Sequence, residues 1–342
     1  MIMIDNKTIQ YTSVSGYGWT GSSVVVDLLK EFETFGTLDF EFSMVWEPNG
    51  IIDLEKSLVD SWDFLRHDIA IRDFIKYCKL LDSKSSKFNS LGLDMSKHLH
   101  IDFLLESIKY VENLTDIKYS GYTRLFDYEY SQIALIYRKI LRKFFKRILS
   151  NNEMYLARPS KEKFIKETRN YFDRIFSNYC DKNHINTVLL DQALPVAGIT
   201  KSIDYFSNIK AIVVDRDPRD IYVDLINHNA LIGIECKKET RESTKNYIRW
   251  HNILRQNRSE LSKLEEEGKV LCFKFEDIVL EYDKSINQIC KFLNLDLQKH
   301  ILRNKYFKPE LSSKNIGMWK THSNQEEIDY IYGELKEYCY EI

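Results

Sequence analysis

The first residues that could do chemistry lie near the start of the sequence, in the stretch Val14 to Leu29. A short apolar run leads into glycines at positions 16, 18 and 21, and Ser22 and Ser23 then open a second apolar run. This pattern predicts a strand, a turn and a helix. Because such a turn leaves backbone N–H groups unpaired where the helix dipole is positive, it suits an oxyanion such as phosphate or sulfate.

The spacing of this stretch matches a nucleotide-binding P-loop, GxxxxGK[ST], except at the lysine. Gly16 and Gly21 fit the two glycines, but Ser22 stands in the lysine position. That lysine normally reaches the β- and γ-phosphates, so its replacement disfavours an ATPase or a kinase. Taken alone, the stretch is equally compatible with a structural glycine turn.

A second stretch, Lys210 to Asn227, carries two arginines just after a buried strand, Ala211 to Val214. Asp217 has the character of a helix N-cap. Arg216 and Arg219 are therefore expected at the carboxyl edge of the sheet, where open α/β sheets bind ligands. Arg219 could equally pair with a neighbouring aspartate in a structural network.

The two stretches together resemble the sulfotransferase family that uses 3′-phosphoadenosine 5′-phosphosulfate (PAPS). In that family a strand–loop–helix near the N-terminus holds the 5′-phosphosulfate, and a later RDPRD-like turn holds the 3′-phosphate. Val270 to Leu295 resembles the family's late strand, turn and helix, and Ile316 to Lys320 resembles its C-terminal glycine–tryptophan–lysine segment. The resemblance covers residues 9–49 and about 186–342, and it does not extend to the middle of the chain.

The resemblance implies a donor site built from the glycine loop, the arginine turn (residues 215–224) and the C-terminal segment (Ile316 to Lys320). It assigns Arg216 to the 3′-phosphate, since the guanidinium fork suits phosphate. It implies PAPS as the donor substrate, PAP as the product and no metal. The implied donor-site residues are Gly18, Trp19, Thr20, Gly21, Ser22, Ser23, Arg216, Asp224, Lys314, Trp319 and Lys320.

The resemblance also implies a carboxylate base that accepts the proton of the acceptor hydroxyl. Glu41 matches the catalytic glutamate of glycan and protein members, Asp191 at a strand exit is the second candidate, and Glu47 is the third. Glu41 could instead be a strand-edge carboxylate that faces water. His228 lies at a predicted helix end, where a cation suits the helix dipole.

Two residues depart from the pattern of the family. Trp19 stands where the family's loop carries a lysine or arginine, so either Lys201 or Lys320 supplies the cation or the transfer chemistry is altered. Asp224 stands where a serine usually binds the 3′-phosphate, and a carboxylate there repels phosphate. These departures favour a second interpretation, an inactive nucleotide-binding scaffold protein.

The elements that must position these residues follow from length and pattern. With 342 residues, 44% of them hydrophobic and 29% charged, the chain can form a large α/β domain with an insertion. Residues 1–50 and 186–342 alternate strands with helices, which predicts a mostly parallel sheet flanked by helices around a P-loop-like nucleotide core. Residues 51–185 are helical in pattern and poor in strand signals. We expect them to form a large helical insertion that binds the acceptor.

Two further elements are predicted around the site. Phe35 to Met44 alternates apolar and polar residues, which predicts a second strand with Glu41 at or near its end. Thr240 to Glu267 is predicted as one long charged helix that ends at Gly268.

A basic amphipathic helix is predicted over residues 128–149, with an apolar stripe and a strongly cationic remainder. Its cations are Arg138, Lys139, Arg142, Lys143, Lys146 and Arg147. Such a helix could make a weak contact with a membrane surface or an anionic glycan, or it could pack with a solvated basic face. A peripheral membrane protein organised by this helix is therefore a further hypothesis.

The composition limits the remaining partners. A net charge of −2 gives no global field that selects nucleic acid. The sequence has no apolar run of about 18 residues, no leader-like start and only scattered cysteines, so we expect a cytoplasmic protein. The sequence thus predicts a sulfotransferase of microbial type that sulfates a hydroxyl of a glycan or glycoconjugate. A P-loop-type small-molecule kinase and an inactive scaffold protein are the alternatives, and oligomeric state is open.

Overall fold

The computed structural model describes residues 8–87, 89–121, 131–144, 152–231 and 239–341. The chain divides into two compact units. The first, here the core unit, combines Met1–Trp46 with Phe176–Ile342. The second, here the helical unit, is Glu47–Ile175.

Five described strands form one sheet in the core unit, in the order β2–β5–β1–β6–β7, and every neighbouring pair is parallel. These strands are β1 (Gln10–Gly16), β2 (Phe35–Thr37), β5 (Thr187–Asp191), β6 (Ile209–Asp215) and β7 (Val270–Lys274). The predicted α/β fold, a mostly parallel sheet flanked by helices, is confirmed. The central strand β1 ends at Gly16, so the glycine stretch lies at the middle of the sheet's carboxyl edge.

The core unit covers its sheet with helices. They are α1 (Ser23–Leu29), α8 (Ile199–Ser202), α9 (Pro218–Asn227), α10 (Arg241–Leu254), α11 (Arg258–Glu266), α12 (Phe275–Leu280), α13 (Tyr282–Leu293), α14 (Pro309–Ser312) and α15 (Gln325–Leu335). Short 3₁₀ turns lie at Val196–Gly198, Ile203–Tyr205, Leu297–Lys299, Ser313–Asn315, Met318–Thr321 and Lys336–Tyr338.

Two apolar clusters hold these helices in place. One joins β1 and β6 to α1, α12 and α13, with Val25, Ile212 and Ile278 fully buried. The other joins α9, α10 and α15 around Tyr222 and Tyr247. Strands buried on both faces form near-continuous apolar runs, which is why the short runs of β5 and β6 were recognisable in the sequence.

The helical unit contains α2 (Ile51–Glu55), a π-helical turn (Lys56–Asp60), α3 (Arg66–Asp82), α4 (Met95–Leu99), α5 (Phe103–Leu114) and α6 (Gln132–Phe144). Helix α7 (Lys161–Asn183) starts in this unit and ends in the core unit. The aromatic core includes Tyr110 and Tyr171, whose rings stack at 4.7 Å. An antiparallel pair of strands, β3 (Ile117–Gly121) and β4 (Asn152–Leu156), adds strands to a region expected to be poor in them.

The strand predicted over Phe35 to Met44 is wrong beyond Thr37. Strand β2 ends there, and residues 38–44 continue as a loop in which Leu38 and Phe42 are buried. The alternation of apolar and polar residues is real, but a loop packed over the sheet produces it as well as a strand does. Glu41 therefore lies on this loop and not at a strand end.

The single helix predicted over Thr240 to Glu267 is also wrong, because α10 ends at Leu254 and α11 begins at Arg258. At the break, the buried Arg255 turns inward and donates to Asp215 Oδ1 at 2.5 Å. The helix predicted over 128–149 is described as α6 only; residues 128–130 and 145–149 lie outside the described residues. No helix in the described ranges is long and apolar enough to cross a membrane.

Candidate active site

The glycine loop, residues 16–23, connects β1 to α1 and depends on two close approaches. A Cβ atom at Gly16 would lie 2.2 Å from Thr20 Oγ1. Gly21 has a φ of +73°, and a Cβ atom there would lie 2.7 Å from the ring of Phe275. The loop can therefore be this tight only because both positions are glycine.

The polar groups of the glycine loop are available to a ligand. The backbone N–H groups of residues 18–23 form no hydrogen bond with any other described residue. The hydroxyl of the buried Thr20 also has no partner among the described residues. Since buried polar groups are normally hydrogen-bonded, a bound oxyanion is the partner that fits this arrangement.

Trp19 shapes the rim of the loop. Its backbone is left-handed, with a φ of 60°, and its side chain is 36% exposed. Its ring centroid lies 5.3 Å from that of His228, whose Nδ1 is 3.1 Å from Asp224 Oδ1. An indole thus stands where the resemblance expects a cation, beside a histidine that is held by Asp224.

Gln192 braces the glycine loop, although it is not among the site residues predicted from the sequence. Its Oε1 accepts a hydrogen bond from the Gly16 N–H at 3.3 Å, and its Nε2 donates to Ser22 Oγ at 2.8 Å. Its own backbone is left-handed, with a φ of 55°. The available signal was its position directly after β5, at the same sheet edge as the loop.

A cavity of about 730 Å³ opens in the core unit at this edge. Its lining includes the residues of the glycine loop except Thr20, the two candidate base residues Glu41 and Asp191, and the pair Arg216 and Asp224. The structure therefore brings together residues that are far apart in the sequence. Arg216 is the only lysine or arginine among the described residues that line this cavity.

The two carboxylates interact with each other. Burial first, and then the nearby charge of Glu41, raise the pKa of Asp191 to about 6. Asp191 Oδ1 is buried without a partner among the described residues, while its backbone oxygen accepts from the Phe42 N–H at 2.7 Å. A carboxyl group with a pKa near neutrality, beside a second and exposed one, is an arrangement suited to proton transfer.

Arg216 is buried at the turn between β6 and α9, and its guanidinium already has protein partners. It donates to Asp224 Oδ2 at 2.8 Å, to the carbonyl of Asn315 at 2.7 Å and to that of Trp19 at 3.3 Å. Its Nε is buried and has no partner among the described residues. The Arg216–Asp224 ion pair thus neutralises the one cation of the cavity lining in the part of the chain that is described.

Arg219 belongs to a structural network next to the cavity, which answers the alternative left open by the sequence. It donates to Asp217 Oδ2 at 2.6 Å, and its guanidinium carbon lies 3.9 Å from the ring centroid of Trp319. Asp220 accepts from the backbone N–H groups of Gly317 and Trp319. These contacts fix the C-terminal segment against the arginine turn.

The other candidates do not line this cavity within the described residues. Lys201, Lys314 and Lys320 are exposed, and Trp319 packs on Arg219. Asn315, which directly precedes the C-terminal segment, lines the cavity and accepts a hydrogen bond from Arg216. Glu47 lies in the helical unit, where it accepts a hydrogen bond from Tyr77. Across the described residues, no group of three or more His, Cys, Asp or Glu side chains could hold a metal ion.

Comparison with protein families gives a match to a family model described as a sulfotransferase domain, over residues 94–329. The match covers more than half of the chain and includes Arg216 and Asp224. It begins after the glycine loop, and it runs through the middle of the chain, for which the sequence analysis found no resemblance. No curated protein matches the sequence.

Several solved structures are similar at low identity. A sulfotransferase domain from the curacin biosynthetic pathway is 14% identical, with 98% of each chain covered and a TM-score of 0.44. A sulfotransferase domain from the Synechococcus PCC 7002 olefin synthase is 12% identical, with 98% of this chain and 95% of that chain covered and a TM-score of 0.42. Retinol dehydratase in complex with androsterone and inactive cofactor PAP is 13% identical, with 97% and 82% covered and a TM-score of 0.38.

Proposed function

The chain belongs to the sulfotransferase domain family and is an enzyme of that class, and from this premise we propose that it transfers a sulfuryl group from PAPS to a hydroxyl of a glycan or glycoconjugate. The observation that carries the proposal is the cavity of the core unit, which has the unpaired N–H groups of the glycine loop and two carboxylates, Glu41 and Asp191, in its lining. Sulfuryl transfer needs both an anion cradle and a base.

The glycine loop would bind the phosphosulfate of the donor. The N–H groups of residues 18–23 and the hydroxyls of Thr20, Ser22 and Ser23 can donate to its phosphate and sulfuryl oxygens. Negative charge grows on the bridging oxygen as the S–O bond to the phosphate breaks, so these donors also stabilise the leaving PAP. Gln192 keeps the loop in shape by its hydrogen bonds to Gly16 and Ser22.

The carboxylates would act on the acceptor. As the acceptor oxygen forms its bond to sulfur, Glu41 takes the hydroxyl proton, and PAP leaves with the bridging oxygen. Glu41 is exposed at the cavity, while Asp191 is more buried and carries a raised pKa. Asp191 is therefore the second candidate for the base, because burial first, and then the negative charge of Glu41, bring its pKa to about 6.

Arg216 would bind the 3′-phosphate of the donor in competition with Asp224. The guanidinium is buried and lines the cavity, and its Nε is still without a described partner. Because Asp224 already accepts from it at 2.8 Å, the incoming phosphate has to displace or share this carboxylate. The proposal therefore includes donor binding that is weakened by Asp224.

The same observation favours a second candidate, a protein that binds the nucleotide without transferring the sulfuryl group. Trp19 supplies no cation to the leaving group, and the charge of Arg216 is compensated by Asp224. Binding of PAP without turnover of PAPS would distinguish this candidate from the enzyme.

The test combines nucleotide binding with turnover. We expect calorimetric titration to detect PAP binding that is lost in Arg216→Ala, with ATP–magnesium as the comparison nucleotide. We then expect Glu41→Gln to lower sulfuryl transfer from radiolabelled PAPS to a panel of mono- and disaccharides by about 10²–10⁴-fold while PAP binding is retained. Asp39→Asn, which removes an exposed carboxylate two residues away, is the matched control.

Two results would contradict the proposal. Absence of PAP binding together with magnesium-dependent ATP binding would overturn the choice of donor. A Glu41→Gln enzyme with the full rate would overturn the base assignment, and an inactive Asp191→Asn enzyme would then move the role to the second carboxylate.

A further inference from the structure

Helix α6 of the helical unit exposes an apolar stripe. Ile133, Ile136, Tyr137 and Ile140 are 81%, 60%, 62% and 52% exposed, respectively. Their spacing of three, four and seven residues places them on one face of the helix. Scattered exposed apolar residues are ordinary, but four large ones on a single face form a contiguous patch, which marks an interaction site. We call these four residues the α6 stripe.

Positive charge accompanies the α6 stripe. Lys139 and Lys143 are exposed, and neither forms an ion pair with another described residue. At 100° per residue, both lie on the same side of the stripe, next to Ile136. Residues 131–144 contain four lysines and arginines and no aspartate or glutamate. The surface therefore combines exposed apolar side chains with two lysines that have no acidic partner in the described part of the chain.

Three kinds of partner could cover this surface. They differ in whether they bury the α6 stripe, pair with the lysines, or do both. An anionic glycan would pair with the lysines but leave the apolar stripe in water. A second copy of the chain, joined through the same patch by two-fold symmetry, would bury the stripe but offer the lysines no acidic partner from α6, since residues 131–144 contain no aspartate or glutamate. A bilayer of anionic phospholipids satisfies both parts, because its acyl boundary takes up the stripe and its headgroups pair with the cations.

We propose that α6 binds the surface of an anionic phospholipid bilayer, with the α6 stripe inserted below the headgroups and Lys139 and Lys143 at headgroup level. The helix has 13 residues, about 20 Å at 1.5 Å per residue, whereas a spanning helix needs about 20 residues. It therefore lies in the plane of the interface and does not cross the membrane. This proposal is independent of the reaction, since it uses no residue of the cavity.

The test is co-sedimentation of the full chain with vesicles of phosphatidylcholine, with and without about 30 mol % phosphatidylglycerol. We expect binding to the anionic vesicles to be at least about tenfold tighter than to the neutral ones, and to weaken when salt is raised from about 0.1 to 0.5 M. We expect Ile136→Ser with Ile140→Ser to abolish the binding. Leu297→Ser with Ile301→Ser, which changes two exposed apolar residues of the core unit, should leave it unchanged.

A second variant separates the charges from the stripe. Lys139→Gln with Lys143→Gln should remove the preference for anionic vesicles and keep the circular dichroism spectrum of the native chain. Failure to bind anionic vesicles, or binding that the stripe variant does not change, would overturn the proposal. So would a dimer detected by light scattering that the stripe variant dissociates, or retention on heparin that the stripe variant does not alter while vesicles are not bound.

Discussion

The glycine loop and the arginine turn, residues 215–224, follow neighbouring parallel strands, but they use their polar groups in opposite ways. The loop leaves the backbone N–H groups of residues 18–23 without partners in the described residues. In the turn, by contrast, each charged side chain is engaged by the protein itself. The loop is thus prepared for an anion, whereas a ligand at the turn has to compete with internal partners.

The ion pairs of the turn are short and mostly buried. Asp215 pairs with Arg255 at 2.5 Å, Asp217 with Arg219 at 2.6 Å, and Arg216 with Asp224 at 2.8 Å. Burying a charged side chain without a partner costs several kcal/mol of folding free energy. Each buried charge of the turn therefore needs its oppositely charged partner. The charged side chains of the turn therefore serve mainly to hold the protein together. Among these ion pairs, only Arg216–Asp224 lies at the cavity, where a ligand can compete with it.

The largest effect is expected from Asp215→Asn, which tests whether the turn is structural. The change leaves the buried Arg255 without its counter-charge, and the free energy of unfolding should fall by about 3–5 kcal/mol. Urea denaturation measures this. Glu281→Gln, which removes the partner of Lys284 in an exposed pair, should change the stability by less than about 1 kcal/mol.

The Asp215–Arg255 ion pair also predicts that the free energy of unfolding depends on pH. Burial would raise the pKa of Asp215, but the Arg255 ion pair outweighs it and lowers the pKa to about 2. A carboxyl group with a lowered folded-state pKa contributes stability above its unfolded pKa of about 3.9, and this stability is lost as the pH falls through the folded value. The stability difference between the native chain and Asp215→Asn should therefore shrink as the pH falls from about 4 to 2. If this stability difference stays constant over the same pH range, the Asp215–Arg255 ion pair is not its cause.

The sheet was predictable from the sequence because its strands are buried apolar runs bounded by turn residues, as in Ala211 to Val214. The errors came from longer segments. The alternation over Phe35 to Met44 gives no sign that the chain leaves the sheet after Thr37. Nor does helical periodicity indicate that Arg255 interrupts a helix, since its ion-pair partner lies forty residues away in the sequence.

Gly16→Ala tests whether the shape of the glycine loop is needed for nucleotide binding. The added Cβ atom would lie 2.2 Å from Thr20 Oγ1, so the loop has to shift, at a cost of about 1–3 kcal/mol. We expect PAP affinity, measured by calorimetry, to fall by about 10- to 100-fold, because the N–H groups no longer converge. Gly333→Ala is the matched control, since a Cβ atom there meets nothing within 4 Å and both changes add one methyl group. Equal PAP affinity in the two variants would show that the loop does not bind the nucleotide.

The sequence predicted the parts of the site that are local in the chain and missed those that depend on long-range contacts. The strand–glycine–helix spacing is sufficient to identify the loop, and the arginines follow a recognisable strand. That Gln192 braces Gly16, and that Asp224 pairs with Arg216, depends on how β5, β6 and α9 meet. A one-dimensional pattern contains the positions of such residues but not their partners.

The smallest effect, about 1 kcal/mol in the free energy of PAP binding, is expected from Asp224→Asn. This change frees the Arg216 guanidinium from its ion pair with a carboxylate. The amide keeps the size of the side chain but removes the negative charge that Arg216 neutralises at 2.8 Å. The 3′-phosphate of PAP would no longer meet a like charge, and PAP affinity should rise about fivefold, while the affinity for AMP, which lacks that phosphate, should stay unchanged. Asp283→Asn alters the net charge equally at an exposed position and should have no effect on either nucleotide. A rise for both nucleotides would mean that Asp224 acts through the overall charge of the cavity and not at the 3′ position, and no change for either would mean that the arginine turn does not bind the donor.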